Sequence, residues 1–278
     1  MRAALRPIGV FDSGIGGLTV ARELLRQLPG ERLIYLGDTA RTPYGNKSPQ
    51  TLVRFALETG TFLARKGVKL LVVACNSSSA YSLPALRRHL DIPVVGVIEA
   101  GARAAVEGHR GRRIGVIGTR ATVRSGAYLA AIRALRSDAR VVARACPLFV
   151  PIVEEGWAGH ALAEQVAREY LLPLKREGVG SVVLGCTHYP LLKPVLARVL
   201  GKGIALVDSA REMGREVKTL LRTRGLSSPR ASVDFAEHRF YVTDPPEQFA
   251  DQTARFLGRK PRVQAVRLSE LPLGPRGR

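Results

Sequence analysis

The chain runs twice through one order of elements, and that repeat restricts its fold more than any other feature. Ile8-Gly-Val10 and Ile114-Gly-Val116 each open an apolar strand, 106 residues apart. Leu-Val-Val-Ala-Cys75 and Val-Val-Leu-Gly-Cys186 each close another strand on a thiol, 111 residues apart. After each cysteine the pattern predicts a proline-led helix, at Pro84 and at Pro190, then a short strand ending in an acid, Glu99 or Asp208. One order of elements at a nearly constant offset implies duplication of a single unit. Strands alternating with helices predict mostly parallel sheets with right-handed crossovers. The expected fold class is therefore α/β: two similar domains with mostly parallel sheets, related by pseudo-two-fold symmetry, with the site in the cleft between them.

The second copy reads as an insertion into the first. Residues 1–98 and 209–270 are expected to form a discontinuous first α/β domain and residues 99–208 a second, with 271–278 a disordered tail. In the first copy, strands are expected at Ile8–Phe11, Leu33–Leu36 and Leu70–Ala74, and helices over Leu18–Leu28 and about Pro49–Lys66. The chain is expected to re-enter the first domain with a helix near Ala210–Arg222 and a strand Arg239–Val242.

At 278 residues the chain is long enough for two cores. No apolar run approaches the roughly 20 residues that span a bilayer, and the N-terminus carries no signal-type apolar segment, so no membrane association and a cytoplasmic location are expected. Three widely spaced cysteines do not read as a disulfide framework, and Cys186-Thr-His188 supplies too few ligands for a structural zinc site. Cys146 has no motif around it and reads as a packed bystander. The formal charge of +20 raises nucleic-acid binding as an alternative. Its arginines, however, are spread over helix-like segments, and aromatic residues are too sparse for a stacking platform. No nucleic acid is therefore required.

Four segments carry the chemistry. Phe11-Asp12-Ser13-Gly-Ile-Gly-Gly17 turns a strand into a helix, where glycines let the backbone approach an anion. Its spacing does not complete a dinucleotide fingerprint. Asp38-Thr-Ala-Arg-Thr-Pro-Tyr44-Gly45-Asn46 is a long polar loop after a strand. Cys75-Asn76-Ser77 and Cys186-Thr187-His188 place thiols at strand ends, where α/β sheets hold their ligands. Asparagine occurs only at Asn46 and Asn76, both inside these segments. Glu154 and Glu155 follow an apolar run, and either can orient His188.

Taken in order, Ile-Gly-Val-Phe-Asp12-Ser13-Gly-Ile-Gly-Gly, Asp38-Thr-Ala-Arg-Thr-Pro-Tyr44-Gly45, Ala-Cys75-Asn76-Ser77, Pro-Leu-Phe-Val-Pro and Leu-Gly-Cys186-Thr187-His188-Tyr-Pro-Leu-Leu resemble glutamate racemase, within the aspartate/glutamate racemase superfamily. The resemblance runs from Ile8 to about Asp208. It implies cofactor-independent interconversion of L- and D-glutamate for peptidoglycan synthesis, with no metal. It implies Cys75 and Cys186 as the acid/base pair, assisted by Asp12 and His188. It further implies Asp12, Ser13, Tyr44, Gly45, Asn76, Ser77, Thr187 and His188 as substrate-binding residues. Asp38, in the polar loop, and Glu154, after the apolar run, are expected to support them from behind. A homodimer is the expected assembly. Ser77 departs from the family's usual threonine: the hydroxyl is kept and a methyl contact is lost.

Physical chemistry leads to a similar residue set. Inverting a stereocentre by proton transfer needs a base on one face of the carbon and an acid on the other, so one thiolate and one thiol are expected at rest. A free thiol titrates near ~8.5, so the protein is expected to lower it with donors such as Ser77, Asn76, Thr187 and backbone N–H groups, or to hold it in a polarised site. No lysine stands in a convincing pyridoxal-phosphate context, so carbanion stabilisation falls to hydrogen bonds in a closed cleft. Two further alternatives stand beside this reading. A thiol hydrolase using Cys186 and His188 leaves Cys75 without a role, and a racemase for aspartate or another small acid differs only in pocket length.

Overall fold

The computed structural model describes residues 2–108, 113–244 and 249–268. The expected tail 271–278 lies outside them. In chain order the elements are β1 Ile8–Asp12, α1 Leu18–Gln27, β2 Leu33–Gly37, α2 Pro49–Arg65, β3 Leu70–Val73, α3 Asn76–His89, β4 Val94–Gly96, α4 Val97–Glu107, β5 Arg113–Gly118, α5 Arg120–Arg124, α6 Ala127–Leu135, β6 Arg140–Ala145, α7 Phe149–Glu154, α8 Ala161–Arg176, β7 Ser181–Gly185, α9 Lys193–Leu200, β8 Ala205–Asp208, α10 Ser209–Thr223, β9 Arg239–Val242, α11 Phe249–Leu257 and β10 Val263–Ala265.

The strands form two all-parallel sheets, ordered β10-β9-β2-β1-β3-β4 and β6-β5-β7-β8. The order β2-β1-β3-β4 of the first is repeated as β6-β5-β7-β8 in the second, so the duplication is visible strand for strand. Central strands buried on both faces must be apolar throughout, and β1, β3 and β7 are buried at every position. Parallel strands of one sheet all end on the same edge, so Asp12 closes β1 on the edge where Cys75 follows β3, and Cys186 follows β7 on the corresponding edge of the second sheet.

Helices between strands carry one apolar stripe each. On α10 it falls at Ala210, Met213, Gly214, Val217 and Leu221, a helical spacing that lays this face against α1 and α4. Leu18 and Leu24 of α1, Met213 and Val217 of α10, and Phe149, Tyr189 and Leu196 of the second unit belong to one continuous core. The units are thus packed through apolar contact. Helix starts follow cap chemistry: Ser48 accepts from Thr51 N–H at 3.2 Å with Pro49 at the first helical position, and Asp208 accepts from Ala210 N–H at 2.9 Å. Among the described residues, no helix is long and apolar enough to cross a membrane.

Three local expectations are corrected. Pro84 does not lead a helix. It lies inside α3 on the exposed face, while buried Asn76–Ser79 before it and Leu83 and Leu86 beside it hold the helix through the break. Glu99 does not end a strand: Gly96 stops β4, and the alanine-rich stretch after it winds into α4, placing Glu99 in its first turn against Arg87 at 2.8 Å. Pro190 lies in a short 3₁₀ turn, Tyr189–Leu192, and Pro194 occupies the start of α9.

Candidate active site

The two sheets' strand ends meet at one narrow pocket. Ser13, Tyr44, Gly45, Cys75, Asn76 and Ser77 line it from the first unit, and Cys186, Thr187 and His188 from the second. Thr42, Pro43, Thr119 and Val150 complete the wall. Both sulfurs therefore face one small space, and they lie close enough for the charge of Cys186 to act on Cys75. Both are nearly closed to solvent, at 5% and 6% exposure.

The surroundings of the thiols differ. Cys75 sits at the mouth of α3, and burial, reinforced by the Asp12 carboxylate, pushes its thiol up to about 12 against hydrogen bonds from Ser78 N–H and the Ser13 side chain. Neighbouring donors do lower it, as expected of such groups, but burial outweighs them. Ser77 Oγ is engaged by Thr119 at 2.8 Å and Thr122 at 3.3 Å, and Asn76 Oδ1 by Tyr128. Thr187 Oγ1 points to Asp12.

Cys186 Sγ lies 3.8 Å from His188 Nδ1, and His188 Nε2 lies 2.9 Å from Glu154 Oε1. Burial opposes a charged ring, but hydrogen bonds to Cys186 and Glu154 outweigh it and push His188 up to about 10. Of the two acids after the apolar run, Glu154 meets the histidine and Glu155 is exposed. Phe256 of α11 packs edge-on against the ring at 5.4 Å between centroids.

Asp12 lies beneath the pocket, fully buried. Burial raises its pKa, opposed by the charge of His188 and by backbone N–H groups of the glycine turn. Gly14 N–H donates to its Oδ2 at 3.1 Å, and Thr187 Oγ1 approaches its Oδ1 at 3.5 Å. The glycines of this turn are sterically required: a Cβ on Gly16 would stand 2.3 Å from Thr187 Oγ1 and 2.5 Å from the His188 ring. Asp38 does not reach the pocket. It takes the Tyr44 hydroxyl and Arg41 Nε on one oxygen and Thr243 Oγ1 on the other, and so fixes the loop that carries Tyr44 and Gly45.

Cys146 is fully buried and lies outside the pocket; its carbonyl accepts from Tyr189. The motif reading missed Thr119, Thr122, Tyr128 and Phe256. Thr119 was recoverable, because it stands 106 residues after Ser13, the separation of Ile114 from Ile8.

The Asp/Glu/Hydantoin racemase family model matches residues 8–216. A glutamate racemase of Geobacter metallireducens is 51% identical over 92% of this chain and 94% of its own length. Among solved structures, a glutamate racemase isoform from Bacillus anthracis superposes with a TM-score of 0.90 at 40% identity, covering 94% of this chain and 97% of that one. One from Francisella tularensis, solved in complex with D-glutamate, also gives 0.90 at 37% identity, covering 96% and 100%.

Proposed function

The chain belongs to the Asp/Glu/Hydantoin racemase family and is an amino-acid racemase of the glutamate racemase type, and on that premise we propose that it interconverts L- and D-glutamate without a cofactor, using Cys75 and Cys186 as paired acid and base. The observation that carries this reading is the placement of both thiols, from equivalent strands of the two units, on one small pocket. Glutamate as the substrate rests on the named relatives and on the D-glutamate complex of the Francisella protein.

In one direction Cys186 Sγ takes the Cα proton while Cys75, held as a thiol by burial, gives its own to the opposite face. Cys75 is then the thiolate and Cys186 the thiol, which is the state required for the reverse direction. The His188–Glu154 pair holds a proton beside Cys186 and conducts exchange on that side. The developing carbanion is met by the α3 N-terminus and by polar groups of Ser13, Asn76, Ser77 and Thr187; removing one such donor typically costs about 10²–10³ in rate.

The two units, residues 1–98 with 209–270 and 99–208, act as domains that close on the substrate and exclude water. Ser13, Tyr44, Gly45, Asn76, Ser77, Thr187 and His188 bind it, and Asp12, which does not line the pocket, supports Thr187 from behind. The product serves peptidoglycan synthesis in the cytoplasm, the enzyme works as a homodimer, and no nucleic acid takes part. The test is circular dichroism of purified protein with L-glutamate and, separately, L-aspartate, without added cofactor. Decay of the glutamate signal to zero is expected; a stable signal would overturn the reading.

A further inference from the structure

Asn76 is 2% exposed and lines the pocket, and its Nδ2 has no hydrogen-bond partner among the described residues. An unmet buried donor is costly unless a ligand completes it, so this amide is aimed at an acceptor that arrives with the substrate. An asparagine amide can turn over and offer its oxygen instead, so something must choose which end faces the pocket. That choice is made from the other unit. Tyr128 of α6 reaches across and donates its hydroxyl proton to Asn76 Oδ1 at 2.8 Å.

The tyrosine is itself held firmly. It is 3% exposed, and the space around the ring depends on glycines. A Cβ on Gly101 would lie 3.0 Å from the hydroxyl oxygen, and one on Gly185 would lie 3.0 Å from the ring. With the oxygen end occupied, only the NH₂ end is left for a ligand. An NH₂ group suits a carboxylate and offers nothing to a donor.

We propose that Tyr128 is a positioning residue that fixes the Asn76 amide with its NH₂ toward the pocket, so that Asn76 donates to a substrate carboxylate oxygen. The inference rests on the glutamate reading above, because it needs an anionic substrate. It also couples the units: the hydrogen bond that orients a binding group on one is supplied by the other.

The test is a double-mutant cycle on D-glutamate binding, measured by titration calorimetry, with racemisation kinetics alongside. Tyr128→Phe keeps the ring and removes only the hydroxyl. It should weaken binding about tenfold, with the loss in KM larger than that in kcat. In the Asn76→Ala background the same change should alter binding less than about twofold. Equal weakening in both backgrounds would reduce Tyr128 to packing, and unchanged binding by Tyr128→Phe would remove its role; either result overturns the proposal. Wild-type protein that fails to bind D-glutamate would instead overturn the substrate reading.

Discussion

Cys186 Sγ lies 3.8 Å from His188 Nδ1, whereas Cys75 faces Asp12 and Ser13. A two-base racemase needs unlike protonation on its two sides at any instant, and unlike surroundings provide it. On one side a buried thiol is held up at about 12; on the other an imidazole held up at about 10 keeps a proton next to sulfur. The duplication supplies two equivalent strand ends, and divergence of the residues around them supplies the asymmetry.

Glu154→Gln should lower kcat about tenfold and shift the alkaline limb of the pH profile. His188 titrates above its ordinary value of 6.5, so a step needing the charged ring survives at neutral pH and fails as pH rises through about 10. Removing the carboxylate brings that failure to lower pH. The same sign governs stability: the ring's contribution is full below 6.5 and is lost as pH rises through about 10. A kcat/KM profile with an unmoved alkaline limb would contradict this role for Glu154.

Gly16→Ala should damage catalysis more than folding. Its Cβ falls on Thr187 and His188, so the catalytic turn must shift, and displacement of reacting groups by about 1 Å costs about 10²-fold in rate. Overpacking at one site costs about 1–3 kcal/mol. Thermal melts and steady-state rates measured together separate the two effects; a normal kcat would show that the close approach is dispensable.

Lys69→Ala should act on stability alone. Lys69 Nζ is buried against Glu31 Oε2 at 2.5 Å and donates to the carbonyls of Ala4 at 2.6 Å and Leu226 at 2.8 Å. It joins the segment before β1 to the loop after α10. Glu31 Oε1 meanwhile accepts from Ser228 N–H at 2.7 Å. Removing one member of a buried pair typically costs about 3–5 kcal/mol. Urea unfolding should show that loss, with kcat of the folded enzyme within about twofold of wild type.

Much of this arrangement is legible in the sequence because it rests on local pattern. Buried parallel strands must be apolar runs, and each functional strand stops at a polar or thiol residue, so Asp12, Cys75 and Cys186 are marked without knowledge of the fold. Val-Val-Gly-Val-Ile-Glu99 misleads because β-branched residues suit a strand, while the helix that follows Gly96 is favoured by alanines further along and by burial of Val97, Ile98 and Ala102. Pro84 misleads because tertiary packing tolerates a break that local propensity counts against.

The contacts that tie the units together are the least legible. Tyr128 to Asn76, Thr19 to the Thr187 carbonyl at 3.1 Å, and Ser77 to Thr119 join residues far apart in the chain, and no local spacing announces them. The rise in the Cys75 thiol is hidden for a similar reason. It comes from burial beside Asp12, whereas the adjacent hydroxyl and amide residues suggested hydrogen-bond stabilisation of a thiolate.

The central claim is that one sulfur works on each face of the substrate carbon. Exchange of the Cα proton in D₂O, followed by proton NMR for L- and D-glutamate with Cys75→Ala and Cys186→Ala, tests it most directly. Each variant should keep exchange for one enantiomer in preference to the other, and the two preferences should be opposite. The same preference in both variants would contradict the account.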